Sequence, residues 1–213
     1  MTQRTPLMLP ESVGLSSARL QHIDRFLQSR YLDSGKLPCA VTLIARHGEI
    51  AHYSALGSMD LERRRPVRED TIFRVFSMTK PLTSLAFMML VEDGLVALED
   101  PVHRYIPQWR DLGVYEDGAL GAFRTRRLAA PMRIVDLLRH TSGLTYGFQS
   151  RTPVDAAYRA RGYGELGGKL TLDGLIDGLA DMPLEFSPGA AWNYSVSTDV
   201  IGYLVGKLSG QPF

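Results

Sequence analysis

From Pro81 to Val91 the chain reads Pro-Leu-Thr-Ser-Leu-Ala-Phe-Met-Met-Leu-Val, without one charged side chain. Leu82, Leu85, Ala86, Met89 and Leu90 fill one face at helical spacing, and Phe87, Met88 and Val91 cover much of the rest. A helix that is apolar nearly all round is a buried helix, so its N-terminus is expected to open inside the protein or into a cleft. Gly94 stands where a C′ residue would close it.

Directly ahead of this segment lies Phe73-Arg74-Val75-Phe76-Ser77-Met78-Thr79-Lys80. With a helix starting at Ser77, Ser77 and Lys80 share one face of its first turn. A serine hydroxyl is a poor nucleophile until a base takes its proton, and a neutral amine is such a base. Burial and the positive end of the helix dipole both disfavour the ammonium form of Lys80. The same helix start offers unpaired N–H groups to negative charge that develops nearby. Among fifteen serines and four lysines, this is the only pair at that spacing. The competing structural reading makes Ser77 a helix cap and Lys80 a solvated first-turn residue. The apolar helix behind them favours chemistry, because a lysine at a buried helix mouth needs a reason.

Elsewhere the pattern is mixed. Ser16 or Ser17 can cap a helix bearing Leu20, Ile23, Leu27 and Tyr31. Ala40 to Ala45 reads as a buried strand, His47-Gly48 as a two-residue turn, and 49–55 as the returning strand. Residues 95–109 suggest short helix and turn, and 110–131 an irregular surface excursion. A short helix covers Ile134 to Arg139, and His140, at its end, is read as satisfying carbonyls there. Thr171 caps a further helix, and a last one carries Val200, Ile201, Leu204, Val205 and Leu208 up to Gly210.

Several function classes drop out. A formal net charge of +1 gives no electrostatic case for nucleic acid or a membrane surface. Gly162 to Gly167 matches G-x-G-x-x-G, but the residues before it look helical, so the dinucleotide context is missing. The five histidines show no metal-ligand spacing, and no G-x-S-x-G elbow occurs. Neither cofactor nor metal is expected. One cysteine, Cys39, excludes an internal disulfide. With no apolar export segment and no membrane-length run, the expected location is cytoplasmic.

Three motifs in order carry a resemblance: Phe73 to Pro81, Leu137-Leu138-Arg139-His140-Thr141-Ser142-Gly143-Leu144, and Pro188-Gly189 through Tyr194-Ser195. With them the chain resembles the serine β-lactamase and penicillin-binding superfamily from about residue 15 onward, and within it the class C-like branch that includes family VIII carboxylesterases. The resemblance implies an α+β fold, an antiparallel sheet flanked by helices (about 1–59) with a mainly helical region (about 60–213), and a site between the two. It also implies that Ser77 is the acylated nucleophile, Lys80 its general-base partner and Tyr194 the residue that passes the proton to the leaving group. A phenol near cationic Lys80 has its phenolate favoured. The structural alternative for Tyr194 is packing on Trp192, with its hydroxyl bonded to a carbonyl.

Two departures shift the expectation. Class C β-lactamases carry asparagine two places after the tyrosine, where Val196 stands here. Valine neither donates nor accepts, which favours small-acyl esters over β-lactams as the small-molecule substrate. The family's third motif, on a later sheet strand, has no counterpart before Phe213. The chain therefore reads as the N-terminal portion of a larger enzyme. It is expected to be a weak catalyst alone, since losing one oxyanion donor costs on the order of 100- to 1000-fold. Within the same chemistry, β-lactam or D-alanyl peptide hydrolysis and acyl transfer stay open. A non-catalytic binding module is the alternative of a different class. Oligomeric state is not legible.

Overall fold

The computed structural model describes residues 7–164 and 170–213. The second half of the glycine pattern at 162–167 lies outside them. The fold is mixed α and β, as expected, and divides into two compact units, Met1–Arg74 and Val75–Phe213.

In the first unit the Ser16 hydroxyl accepts the Arg19 N–H at 3.4 Å and starts α1 (Ser17–Leu27). An antiparallel hairpin follows, β1 (Cys39–Arg46) and β2 (Glu49–Asp60), with the short β3 (Arg65–Pro66) beyond β2. His47 and Gly48 both take positive φ, 54° and 82°, which is the turn geometry that matches the twist of the flanking strands. Thr42 pairs with Ser54 and Ile44 with His52, so these four share a face. That face turns to α1, where Asp24 accepts the Ser54 hydroxyl at 2.7 Å and lies 3.2 Å from His52 Nε2. Val41 and Leu43 point the other way and are exposed. The expectation of a buried β1 is therefore corrected. β1 is an edge strand whose outer face nothing covers among the described residues, so alternation exposes every second side chain.

The second unit holds the main core. α2 (Thr79–Glu92) ends in a paired carbonyl cap. Gly94, at φ 72°, sends its N–H to Val91 O, and Leu95 sends its own to Leu90 O, both at 3.0 Å. Only Thr83, Phe87 and Leu90 of α2 are buried, at spacing i, i+4, i+7. Leu82, Leu85, Met88 and Met89 remain exposed, so the expectation of all-round burial is corrected as well. The helix packs against α6 (Ser197–Ser209) along one stripe, and no described element covers the opposite row.

The stretch 110–131 is not irregular. It forms β4 (Gly113–Asp117) and β5 (Arg124–Arg127), an antiparallel pair. β5 reads Arg-Thr-Arg-Arg and is wholly exposed, so no apolar alternation announces it. β4 is anchored by Tyr115 N–H to Leu184 O and Leu184 N–H to Gly113 O, both 2.8 Å. α3 (Ile134–Leu138), α4 (Pro153–Arg161) and α5 (Leu172–Leu179) complete the unit. Thr152 caps α4 and Thr171 caps α5 through their hydroxyls. Phe87, Ile134, Leu137, Tyr158, Ile176, Leu179, Ile201 and Leu204 form the centre of one apolar cluster.

The two faces of α2 make opposite predictions. Phe87→Ala removes a ring that is 0% exposed and should cost about 3–5 kcal/mol of stability. Leu85→Ala, at a position 62% exposed, should stay within about 0.5 kcal/mol. Urea unfolding midpoints of the two variants check the assignment, and equal losses would contradict it.

Candidate active site

Ser77 occupies a one-turn 3-10 segment, Phe76–Met78, and α2 begins two residues later than the spacing suggested. Met78 stands at the N-cap, and Ser77 caps neither helical segment. Phe76 takes φ 47°, a left-handed conformation that costs a residue of this bulk about 1–3 kcal/mol. That turn places the Ser77 hydroxyl against Tyr194, with Ser77 Oγ and Tyr194 Oη 2.5 Å apart. Lys80 Nζ, one turn on, is 3.4 Å from the same Ser77 Oγ. The three residues singled out from the sequence thus meet at one point.

Tyr194 lies just before α6 in a segment pinned from both sides by the loop after α3. Asn193 N–H bonds His140 O at 2.9 Å and Val196 N–H bonds Thr145 O at 3.2 Å. The Asn193 amide donates to Leu144 O at 3.0 Å, and Gln149 Nε2 donates to Asn193 Oδ1 at 3.0 Å and to Tyr194 O. Gly143, within that loop, has φ 86°, and a Cβ there would stand 2.3 Å from Phe186 O. Only glycine fits such an approach.

The environment of Tyr194 differs from the structural alternative. Its hydroxyl bonds Ser77 rather than a carbonyl. Its ring neighbours are His140 and Tyr146, at 5.0 and 5.2 Å between centroids, while Trp192 packs on His140. Lys80 Nζ stands over the rings of Tyr194 and Tyr146, at 4.8 and 5.5 Å, where the π faces attract a cation. Burial alone pushes the Tyr194 phenol up. Hydrogen bonds from Lys80 and Ser77, with the charge of Lys80, outweigh it and hold the phenol below the ordinary tyrosine range.

Two residues not singled out from the sequence also face this point. Tyr146 donates its hydroxyl to Asp199 Oδ2 at 3.2 Å. Burial, then the negative charge of Asp199, pushes the Tyr146 phenol far up. Burial also raises the Asp199 carboxyl, opposed by the Tyr146 hydrogen bond and the charge of Lys80. Asp199 sits in the first turn of α6, where the helix dipole favours a carboxylate. An acid opening an otherwise apolar helix was the available signal for it. Tyr146 follows the His140–Leu144 motif by two residues, which was the signal for that one.

Ser77, Lys80, Tyr146, Tyr194 and Asp199 line a cavity of about 650 Å³, as do Phe148, Arg159 and Phe213. Every lining residue belongs to the second unit. Arg159 is already engaged, by Asp155 Oδ1 at 2.9 Å and by Gly147 O. Val196 is fully buried and does not line the cavity. Among the described residues no group of three or more His, Cys, Asp or Glu is placed to hold a metal ion, and no helix is long and apolar enough to cross a membrane. The arrangement suits removal of a hydroxyl proton and its return nearby, beside a cation.

Comparison with known proteins agrees in kind. Residues 21–213 match the family model described as Beta-lactamase. Esterase EstB of Burkholderia gladioli is 38% identical over 200 residues, covering 92% of this chain and 46% of its own. An uncharacterized protein of Mycobacterium tuberculosis is 36% identical over 180 residues, covering 84% of this chain and 44% of its own. The solved structure of EstCE1, described as a hydrolase with promiscuous acyltransferase activity, superposes with a TM-score of 0.75 at 30% identity. It covers 92% of this chain and 49% of that one. The chain therefore spans about half the length of these relatives.

The position of the phenol gives a direct test. Lys80→Met removes both a hydrogen bond and a charge, so the Tyr194 phenol should rise back towards the ordinary value of 10.0. Tyrosine ¹³Cζ NMR titration, with Tyr194→Phe marking the resonance, reads this; an unmoved titration would show that Lys80 does not hold the phenolate. Because the folded-state value lies below the unfolded one, the contact adds stability only above the folded value. That contribution is complete above about pH 10 and fades as pH falls through the folded value.

Proposed function

The chain belongs to the Beta-lactamase family, and from that premise we propose that it is a serine hydrolase working through a covalent acyl-enzyme on Ser77, with carboxylic esters of small acyl groups as substrates. The observation that supports this most is the Ser77 hydroxyl at 2.5 Å from Tyr194 Oη and 3.4 Å from Lys80 Nζ, beside a cavity they line together.

In this reading Ser77 Oγ bonds the acyl carbon as its proton passes to the nearer acceptor, the Tyr194 phenolate that cationic Lys80 favours. The carbonyl oxygen becomes an oxyanion against the Ser77 backbone N–H. As the C–O bond to the leaving group breaks, the phenol returns its proton to the departing alkoxide. Water then attacks the acyl-enzyme, and its proton follows the same route back to Ser77, releasing the carboxylic acid. Lys80 keeps the phenolate accessible between the two halves.

Ester is preferred over β-lactam because Val196, buried and apolar, leaves no side chain at its position to read a substrate amide. The Burkholderia gladioli relative, named an esterase, supports the same choice. Acyl transfer to an alcohol is the second reading, favoured by the description of EstCE1. The chemistry is common to both, and only the acceptor differs.

A fluorophosphonate probe should add its mass to Ser77, and Ser77→Ala should abolish the adduct. Hydrolysis of p-nitrophenyl butyrate should fall about 10³-fold or more in Ser77→Ala and about 10²-fold or more in Tyr194→Phe. Adding butanol to the assay separates the acceptors, since butyl butyrate would mark transfer and butyric acid hydrolysis. A parent protein that takes no label would favour a binding module on this fold.

A further inference from the structure

His140 has a backbone that its residue type does not favour. α2, α4 and α6 all end on glycines with positive φ: Gly94 at 72°, Gly162 at 68° and Gly210 at 70°. α3 ends the same way but on a histidine, at φ 57°. His140 N–H reaches Leu137 O at 3.3 Å and Thr141 N–H reaches Asp136 O at 2.8 Å, the paired bonds of a left-handed helix cap. Glycine would make these two bonds without a Cβ penalty, so the backbone does not explain the imidazole.

The ring does. It is half-buried, does not line the cavity, and lies 5.0 Å from the ring of Tyr194, centroid to centroid. Its Nδ1 is 3.2 Å from Ser195 Oγ, the next residue along from Tyr194. Ser195 Oγ is 2.7 Å from Ser197 Oγ, which is 2.7 Å from Ser142 Oγ, and Ser142 accepts Leu144 N–H at 3.2 Å. All three serines are buried. The chain of hydroxyls thus runs from the imidazole into the first residue of α6 and back to the loop after α3.

We propose that His140 is a positioning residue for Tyr194, holding the phenol ring against its own imidazole and the adjoining Ser195 through that hydroxyl chain, so that the phenol oxygen stays on Ser77. The inference rests on Tyr194 moving the proton as described above. The groups facing this pair are Lys80 from α2, Tyr146 from the loop after α3 and Asp199 from α6. Lys80 acts on both His140 and Tyr194, and Asp199 on Tyr194. Burial first, then the charge of Lys80, holds the imidazole below its ordinary value, so it serves as a neutral ring at neutral pH.

The test uses the whole chain with His140→Gly and His140→Asn. Glycine relaxes the helix cap, so its Tm should equal or exceed that of the parent. Fluorophosphonate labelling of Ser77 should nonetheless slow about tenfold or more, as the hydroxyl pair loosens. The Tyr194 phenol, read by ¹³Cζ NMR, should move up towards the ordinary tyrosine value. Asparagine tolerates the left-handed turn and keeps a polar group near Ser195, so it should recover part of the rate. Labelling at the parent rate with an unmoved phenol titration in His140→Gly would overturn the proposal. A lower Tm with an unmoved titration would overturn it equally, because His140 would then serve the fold alone. If the parent itself takes no label, the acyl-enzyme reading fails, and the phenol titration still decides the role of His140.

Discussion

The packing of α2 against α6 sets everything that follows at the candidate site. Ser77 and Lys80 belong to the start of the first helix, and Tyr194 to the approach to the second. The buried stripe Thr83–Phe87–Leu90 turns one face of α2 inward, and its Phe87 and Leu90 join the core that also holds Val200, Ile201 and Leu204. A contact of 2.5 Å between side chains 117 residues apart is therefore a by-product of helix packing, made many times over by dispersion rather than once by design of the contact. Close-packed interiors transmit small shifts, so the same packing makes the Ser77–Tyr194 contact sensitive to substitutions well away from it.

Charge around this point is balanced in a row. Asp199, Tyr146, Lys80 and Tyr194 alternate acidic, neutral, cationic and ionisable groups across the cavity wall. Tyr146 stays a phenol because burial and the neighbouring carboxylate both oppose its ionisation. Tyr194 is less buried and has other neighbours: the amine and hydroxyl beside it outweigh the burial that would keep it neutral. Two tyrosines whose rings lie 5.2 Å apart are thereby driven in opposite directions.

Much of this was legible in the chain. Ser77, Lys80 and Tyr194 were singled out by spacing and by motif, and they converge. The caps at Thr171, Gly94 and Gly210 were read from residue type, and the first to within Ser16 or Ser17, because capping is local chemistry. Three things were not legible, each for a physical reason. β5 is all polar and exposed, so it carries no periodic signal, and its pairing is set by β4 and the 184 region. Burial of α2 and β1 was overread, since an apolar face shows what can be covered and not what covers it. His140 was placed correctly at a helix end, but its ring contact depends on a segment more than fifty residues away, which no local pattern contains.

Phe76 carries a consequence for anyone reshaping this molecule. Its left-handed backbone, at φ 47°, is a conformation glycine would adopt freely, and heat-tolerance campaigns routinely target such residues. Relaxing it would also free the turn that aims the neighbouring hydroxyl. Hardiness and the aim of the Ser77 hydroxyl are thus set against each other at a single peptide unit, and a screen that rewards only the first would select against the second.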